Sequence, residues 1–160
     1  MSNESEYYQK SLLAEAAYAE LNDGLTSDQT AKLKESGLSD DQIAEFLQTW
    51  TNVNSYHSLL MGLRVNVFSN PETHEVCIAI AGTNSPLDII IPDSEIALGL
   101  KNSQYPGLSD FYESLIQDGV ITGSDHITAA GHSLGGFLAQ LLTLEYADIS
   151  ETYTYNSPGF

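Results

Sequence analysis

An α/β fold with a mostly parallel sheet follows from three features of the chain. Strand-like and helix-like segments alternate from residue 63 onward. One segment, Glu75-Val76-Cys77-Ile78-Ala79-Ile80-Ala81, is almost continuously apolar, as a strand buried on both faces must be. The stretch from Ile127 to Ala139 runs from an apolar strand through a glycine-rich turn into an apolar helix. Alternation of this kind calls for helices on both faces of the sheet.

The N-terminal part has the helical period. Residues 7 to about 21 place Leu12, Leu13, Ala16, Ala17 and Leu21 on one side of a helix that ends near Gly24. Thr26 with Gln29 reads as a capping box opening a second short helix, which Gly37 stops. Ser39 with Gln42 repeats the signature ahead of Ile43, Phe46, Leu47 and Trp50. Residues 1–56 are therefore expected to form a helical segment that covers one sheet face, within a single domain spanning 1–160.

The period then changes. Leu63 to Phe68 alternates, Ser69 to Thr73 is a turn, and Glu75 to Ala81 completes a hairpin. Gly82-Thr83-Asn84-Ser85-Pro86 breaks that strand, and Leu87 to Leu100 carries the run Ile89-Ile90-Ile91. Ser109 to Gln117 is a helix pattern, Val120 and Ile121 lead into the strand before Ser133, and Thr152 to Asn156 is a last strand.

Composition narrows the function classes. A net charge of −17, from 22 acidic against 5 basic residues, argues against nucleic acid or an anionic membrane surface as partner. The hydrophobic fraction of 42% is enough for a packed core. Cys77 is the lone cysteine and lies in an apolar run, where it acts as a small hydrophobe. Met1 to Glu6 shows no basic region followed by an apolar core, and no apolar stretch reaches the ~18 residues of a membrane span. The expectation is a soluble protein, either cytoplasmic or exported by a signal outside these residues. No cofactor or metal set is read from the sequence.

The chemistry is concentrated at Gly131-His132-Ser133-Leu134-Gly135-Gly136. Gly-x-Ser-x-Gly between a strand and a helix is the context of a nucleophile elbow, in which a strained turn presents a serine at the end of a sheet. Small residues must flank that serine, and Gly131 and Gly135 fill those positions. The elbow aims a helix N-terminus at the reacting carbonyl, where free N–H groups and the helix dipole favour negative charge. The bland alternative is a glycine-rich turn with an idle serine.

Three separated segments resemble the class 3 lipases, the α/β-hydrolase family of fungal triacylglycerol lipases and their bacterial relatives. They are Ile78-Ala79-Ile80-Ala81-Gly82-Thr83 with Asp88 and Asp93 beyond it, the Ser133 hexapeptide, and Tyr155-Asn156-Ser157-Pro158-Gly159. Leu13-Ala14-Glu15-Ala16-Ala17-Tyr18 is similar to the family's opening helix. The resemblance runs from about residue 10 to the end and implies an α/β-hydrolase fold and hydrolysis of acylglycerol or related lipid esters. It assigns Ser133 as nucleophile, the backbone N–H of Leu134 as one oxyanion donor, and Thr83 as the other. Without it, Thr83 is an ordinary residue at a strand end. Residues 86–100 stand where the family keeps its lid, and the pattern alone fits a plain buried helix or strand equally well.

Two departures accompany the resemblance. Ala81 occupies the place of an arginine the family usually has before its oxyanion residue. The second concerns the triad, because a serine nucleophile needs a histidine base and a carboxylate to orient it, in the chain order Ser, Asp, His. The four histidines are His57, His74, His126 and His132, none of them after Ser133, and Asp148 is the only later aspartate. His132 is expected to point away from Ser133, His57 and His74 to lie at the surface, and His126 to sit at the far end of its strand. Asp148 is expected at the end of the elbow helix. The chain is thus read as the N-terminal part of a longer lipase, with self-association expected through an unpaired sheet edge. The competing reading is a catalytically inactive α/β-hydrolase relative that binds lipid or protein.

Overall fold

The computed structural model describes residues 3–21, 26–58, 62–82 and 104–157. Three helices come first: α1 (Asn3–Ala16), α2 (Thr26–Glu35) and α3 (Asp40–Thr49). The strands β1 (Thr51–Ser58), β2 (Leu63–Asn70) and β3 (Glu75–Ala81) follow. Then come α4 (Tyr105–Gln117), β4 (His126–His132), α5 (Leu134–Glu145) and β5 (Ile149–Tyr155). The first helix starts four residues earlier than its apolar period and ends at Ala16. The capping box of α3 is formed on both sides, with the Gln42 N–H donating to Ser39 Oγ and the Ser39 N–H to Gln42 Oε1. Gly37, at φ +118°, turns the chain after α2 as expected.

The five strands lie in chain order in one mixed sheet. β1–β2 and β2–β3 are antiparallel, while β3–β4 and β4–β5 are parallel. The α/β class holds, but only half of the pairings are parallel, because β1 adds an antiparallel strand to the hairpin. β1 also shortens the helical segment, which stops at Thr49 rather than 56. Its sequence, Thr-Asn-Val-Asn-Ser-Tyr-His-Ser, hides it: an edge strand with a half-exposed surface needs no apolar run. Its Tyr56 stacks on Phe111 of α4 at 5.2 Å.

β3 separates two cores. Val76, Ile78 and Ile80 face one side, packed with Leu108, Leu115, Phe137, Leu138 and Leu142 of α4 and α5. Cys77, Ala79 and Ala81 face the other, against α1 and α3. Burial holds the Cys77 thiol protonated, its pKa pushed up to about 12, so it acts as a small hydrophobe. The second face is made of small side chains, so α1 lies close to the sheet and is held there by polar anchors. Lys10 Nζ is 2.5 Å from Glu75 Oε2, which also accepts from Thr128 Oγ1 at 3.0 Å. The same ammonium lies 5.2 Å from the Trp50 ring and 5.5 Å from the Tyr153 ring.

The C-terminal end of α1 is fastened by β2. Fully buried Asn66 donates through Nδ2 to the carbonyls of Ala16 (3.0 Å), Ala17 (3.4 Å) and Ala19 (2.8 Å), and its Oδ1 accepts from Ser55 Oγ at 2.8 Å. Arg64, two residues earlier on the same face, donates to the Tyr18 carbonyl at 2.5 Å and to Glu20 at 2.9 Å. These side chains satisfy carbonyls that a helix end leaves without intrahelical partners.

On the opposite face α5 docks through glycine. A β-carbon on Gly135 would lie 2.1 Å from the Ile80 carbonyl oxygen, and one on Gly131 would lie 2.4 Å from the Gly135 carbonyl. A β-carbon on Gly136 would lie 2.6 Å from Ser157 Cβ and 3.0 Å from the Gly131 carbonyl oxygen of β4, so this glycine also permits the helix to approach the strands closely.

Two stability measurements follow from this packing. Lys10→Ala leaves the largely buried Glu75 unpaired and should lower unfolding free energy in a denaturant titration by about 3 kcal/mol. Lys10→Met combined with Glu75→Gln should recover most of that loss. Gly135→Ala should cost at least about 3 kcal/mol or prevent folding, since its obstacle is backbone. Gly123→Ala, with nothing within 4 Å of its new carbon, should stay within about 0.5 kcal/mol of the parent.

Candidate active site

β4 ends at His132 and α5 begins at Leu134, leaving Ser133 alone between them. Its backbone stands at φ +55°, ψ −123°, a conformation L-residues rarely adopt and one that costs about 1–3 kcal/mol. Hydrogen bonds fix the peptides on both sides. The Ser133 N–H donates to the Tyr155 carbonyl at 2.9 Å, and the Ser133 carbonyl accepts from Gly136 N at 3.1 Å and Phe137 N at 3.4 Å. The Ser133 side chain makes no capping bond to α5. It stands at the C-terminal end of the parallel strands, half-buried.

Leu134 is the first residue of α5, so its N–H has no intrahelical acceptor and lies at the positive end of the helix dipole. The end of β3 arrives beside it. A β-carbon on Gly82 would lie 3.0 Å from Leu134 Cβ and 3.2 Å from Gly135 N. The residue that follows Gly82, Thr83, lies outside the described residues, as does the segment 86–100 read as a lid. The end of β3, at Gly82, thus lies against the first residues of α5.

The histidines are dispersed. His132 turns to the α1 face, with Nδ1 3.3 Å from Tyr18 Oη and the two rings edge to face at 6.3 Å. Tyr18 Oη also lies 3.4 Å from the His132 carbonyl, to which it donates. Burial, then the charge of Glu15, raises the Tyr18 phenol pKa and keeps its proton in place. His126 opens β4 at the opposite end of that strand, with Nε2 3.6 Å from Glu151. His74 sits in the β2–β3 turn and accepts the His126 N–H at 3.0 Å, so it belongs to the same far end.

His57 is exposed, as expected, but at the same end of the sheet as Gly82, through the pairings His57–Arg64 and Arg64–Ala81. Partial burial and the Arg64 charge lower its pKa. Three strand spacings, roughly 14 Å, separate β1 from β4, so His57 is out of reach of Ser133. Among the described residues no imidazole is placed as a base. Asp148 follows the end of α5, which stops at Glu145, and is exposed in the turn before β5, where it accepts from Tyr112 Oη at 2.9 Å.

Sequence reasoning passed over two features here. Arg64, the only arginine in the chain, stands directly across from Ala81, beside the position where the resembled family carries its own. Tyr18 was read only as part of a helix. Both line a polar hollow of 480 Å³ on the α1 side, together with Glu15, Glu20, Lys32 and His132. A cross-strand pairing brings Arg64 to that place, and no local motif announces it.

No family model matches the chain. The uncharacterized protein RP165 of Rickettsia prowazekii (strain Madrid E) is 28% identical over 115 residues, which make up 66% of this chain and 31% of that protein. Among solved structures, one from a study of a family of fungal lipases superposes with a TM-score of 0.70 at 18% identity, over 99% of this chain and 64% of its own. The Lip2 lipase of Yarrowia lipolytica gives a TM-score of 0.65 at 18% identity, over 99% and 60%. The lipase of Rhizopus microsporus var. chinensis gives 0.58 at 14%, over 99% and 59%. The chain thus spans about three fifths of the length of these lipases and under a third of the Rickettsia protein. It has the partial α/β-hydrolase fold of the fungal lipases.

Proposed function

We propose that this chain carries the nucleophile part of a serine ester hydrolase of the lipase type, acting on acylglycerol or related lipid esters. The observation that carries the reading is Ser133 at φ +55° between a parallel strand and an apolar helix, with glycine on both sides. That is the backbone a nucleophile elbow requires. In this reading Ser133 Oγ attacks the ester carbonyl, and the Leu134 N–H donates to the oxyanion that forms. Thr83, which follows the glycine packed against Leu134, supplies the second donor. One such donor accounts for about 10²–10³ in rate.

The base and its orienting carboxylate come from polypeptide other than these residues, since no described imidazole reaches Ser133. A serine hydrolase stripped of its triad still keeps about 10³–10⁴ over water from its oxyanion hole and binding. The alternative, an inactive relative that binds lipid or protein, makes Ser133 no more reactive than an ordinary serine.

Dissolved imidazole can replace the absent base, because general-base catalysis asks only for a proton acceptor of suitable pKa within reach. The full 160-residue chain should therefore be labelled by an alkyl fluorophosphonate at Ser133. Its rate, read by intact mass and peptide mapping, should rise with imidazole concentration and with pH through the imidazole pKa. Ser133→Ala should abolish the adduct. Labelling spread over several serines, or none above that of the unfolded chain, would overturn the hydrolase reading.

A further inference from the structure

We propose that Tyr18 is a positioning residue for the nucleophile, holding the peptide bond that enters Ser133. This inference rests on the hydrolase reading for its consequence, but its geometry is independent of it. The torsion φ of Ser133 is the rotation about its N–Cα bond, so it is set by the plane of the His132–Ser133 peptide. One end of that plane is fixed by the Ser133 N–H on the Tyr155 carbonyl, at 2.9 Å. The other end is the His132 carbonyl, which takes the Tyr18 hydroxyl at 3.4 Å. The peptide that leaves Ser133 is held by Gly136 and Phe137 of α5. Of the bonds described on these two peptides, the Tyr18 bond comes from a side chain and the others from backbone.

The hydroxyl has one proton and two acceptors in reach. With the His132 ring in its Nδ1–H tautomer, Nδ1 donates to the phenol oxygen at 3.3 Å and the phenol proton goes to the carbonyl. Both groups are then satisfied and the ring is locked beside the strand end. Tyr18 in turn is immobilised from β2. Arg64 holds its carbonyl at 2.5 Å, while Asn66 holds the carbonyls of Ala16, Ala17 and Ala19 around it. A relay of contacts therefore runs from β2 through the end of α1 to His132 and Ser133. A residue kept at an unfavourable torsion persists only where its surroundings over-determine it, and this relay adds a side-chain restraint to the backbone ones.

The test uses the full chain as parent, Tyr18→Phe, which keeps the ring and loses the hydroxyl, and Arg64→Met, which frees the Tyr18 carbonyl. Imidazole-dependent fluorophosphonate labelling is measured well below each unfolding midpoint, where a change in stability alone leaves the rate unmoved. Backbone ¹³C shifts at residue 133, which report positive φ, are recorded on the same samples. Tyr18→Phe should slow labelling by about twofold to tenfold, the equivalent of one hydrogen bond, and move the Ser133 shifts toward ordinary torsions. Arg64→Met should change both in the same direction by less. Shifts unchanged in Tyr18→Phe would overturn the proposal, whatever the rate does. So would a parent-like rate in a parent that labels at Ser133. A parent that does not label, with shifts that move in Tyr18→Phe, would leave the positioning intact and reject the hydrolase reading. Should Tyr18→Phe fail to fold, the Arg64→Met shifts and rate decide by the same criteria.

Discussion

Everything around the candidate site depends on one backbone constraint: a strand must end and a helix must begin within a single residue. Ser133 alone makes that turn, at a torsion that costs about 1–3 kcal/mol. The geometry forces α5 back against the strands it has just left, and glycine alone fits at the points of closest approach. Gly135 passes the Ile80 carbonyl at a distance no β-carbon tolerates, and Gly131 passes Gly135 in the same way. The strain is offset by burial further along the same elements. Leu138 and Leu142 are fully buried against β3 and β4, and each such side chain contributes about 1.5–3 kcal/mol.

The other face of the sheet solves a different problem. Cys77, Ala79, Ala81 and Ala130 give α1 a surface of small side chains, on which it buries Leu12 and Leu13 together with Phe68. Polar side chains complete the attachment. In a chain with five basic residues against 22 acidic ones, two of the five, Lys10 and Arg64, anchor α1 or its end to the sheet. Tyrosines add to this: Tyr155 Oη donates to the Tyr7 carbonyl at 2.6 Å and Tyr153 Oη to Glu6 at 2.8 Å. Directional contacts fix orientation more tightly than apolar area does, which matters because the end of α1 faces the strand end before Ser133.

What the sequence made legible was local. β3 stood out because its burial on both faces demands an apolar run, and α3 because its capping box lies within four residues. The Ser133 turn was readable because its steric demands fall on neighbouring positions, 131, 133 and 135. β1 was not legible, since an edge strand draws its hydrogen bonds from a neighbour and needs little hydrophobicity. Asn66 and Arg64 were silent for a related reason: their partners are the carbonyls of residues 16 to 19, some fifty positions away. A buried asparagine in an alternating strand looks like an outward-facing polar residue until the helix above it is placed.

The restraints on Ser133 are all direct hydrogen bonds to its two peptides. They come from β4, α5, the last residue of β5, and one tyrosine supported by β2. None of them requires a histidine base. The torsion of Ser133 and the position of the helix end beside it are therefore set by packing within these residues. In a triad the base and acid act on a nucleophile whose backbone is already set, and their removal leaves the oxyanion and binding contributions standing. A chain of this fold with no imidazole in reach is thus physically coherent: it keeps the strained serine because the packing of its own sheet and helices enforces it.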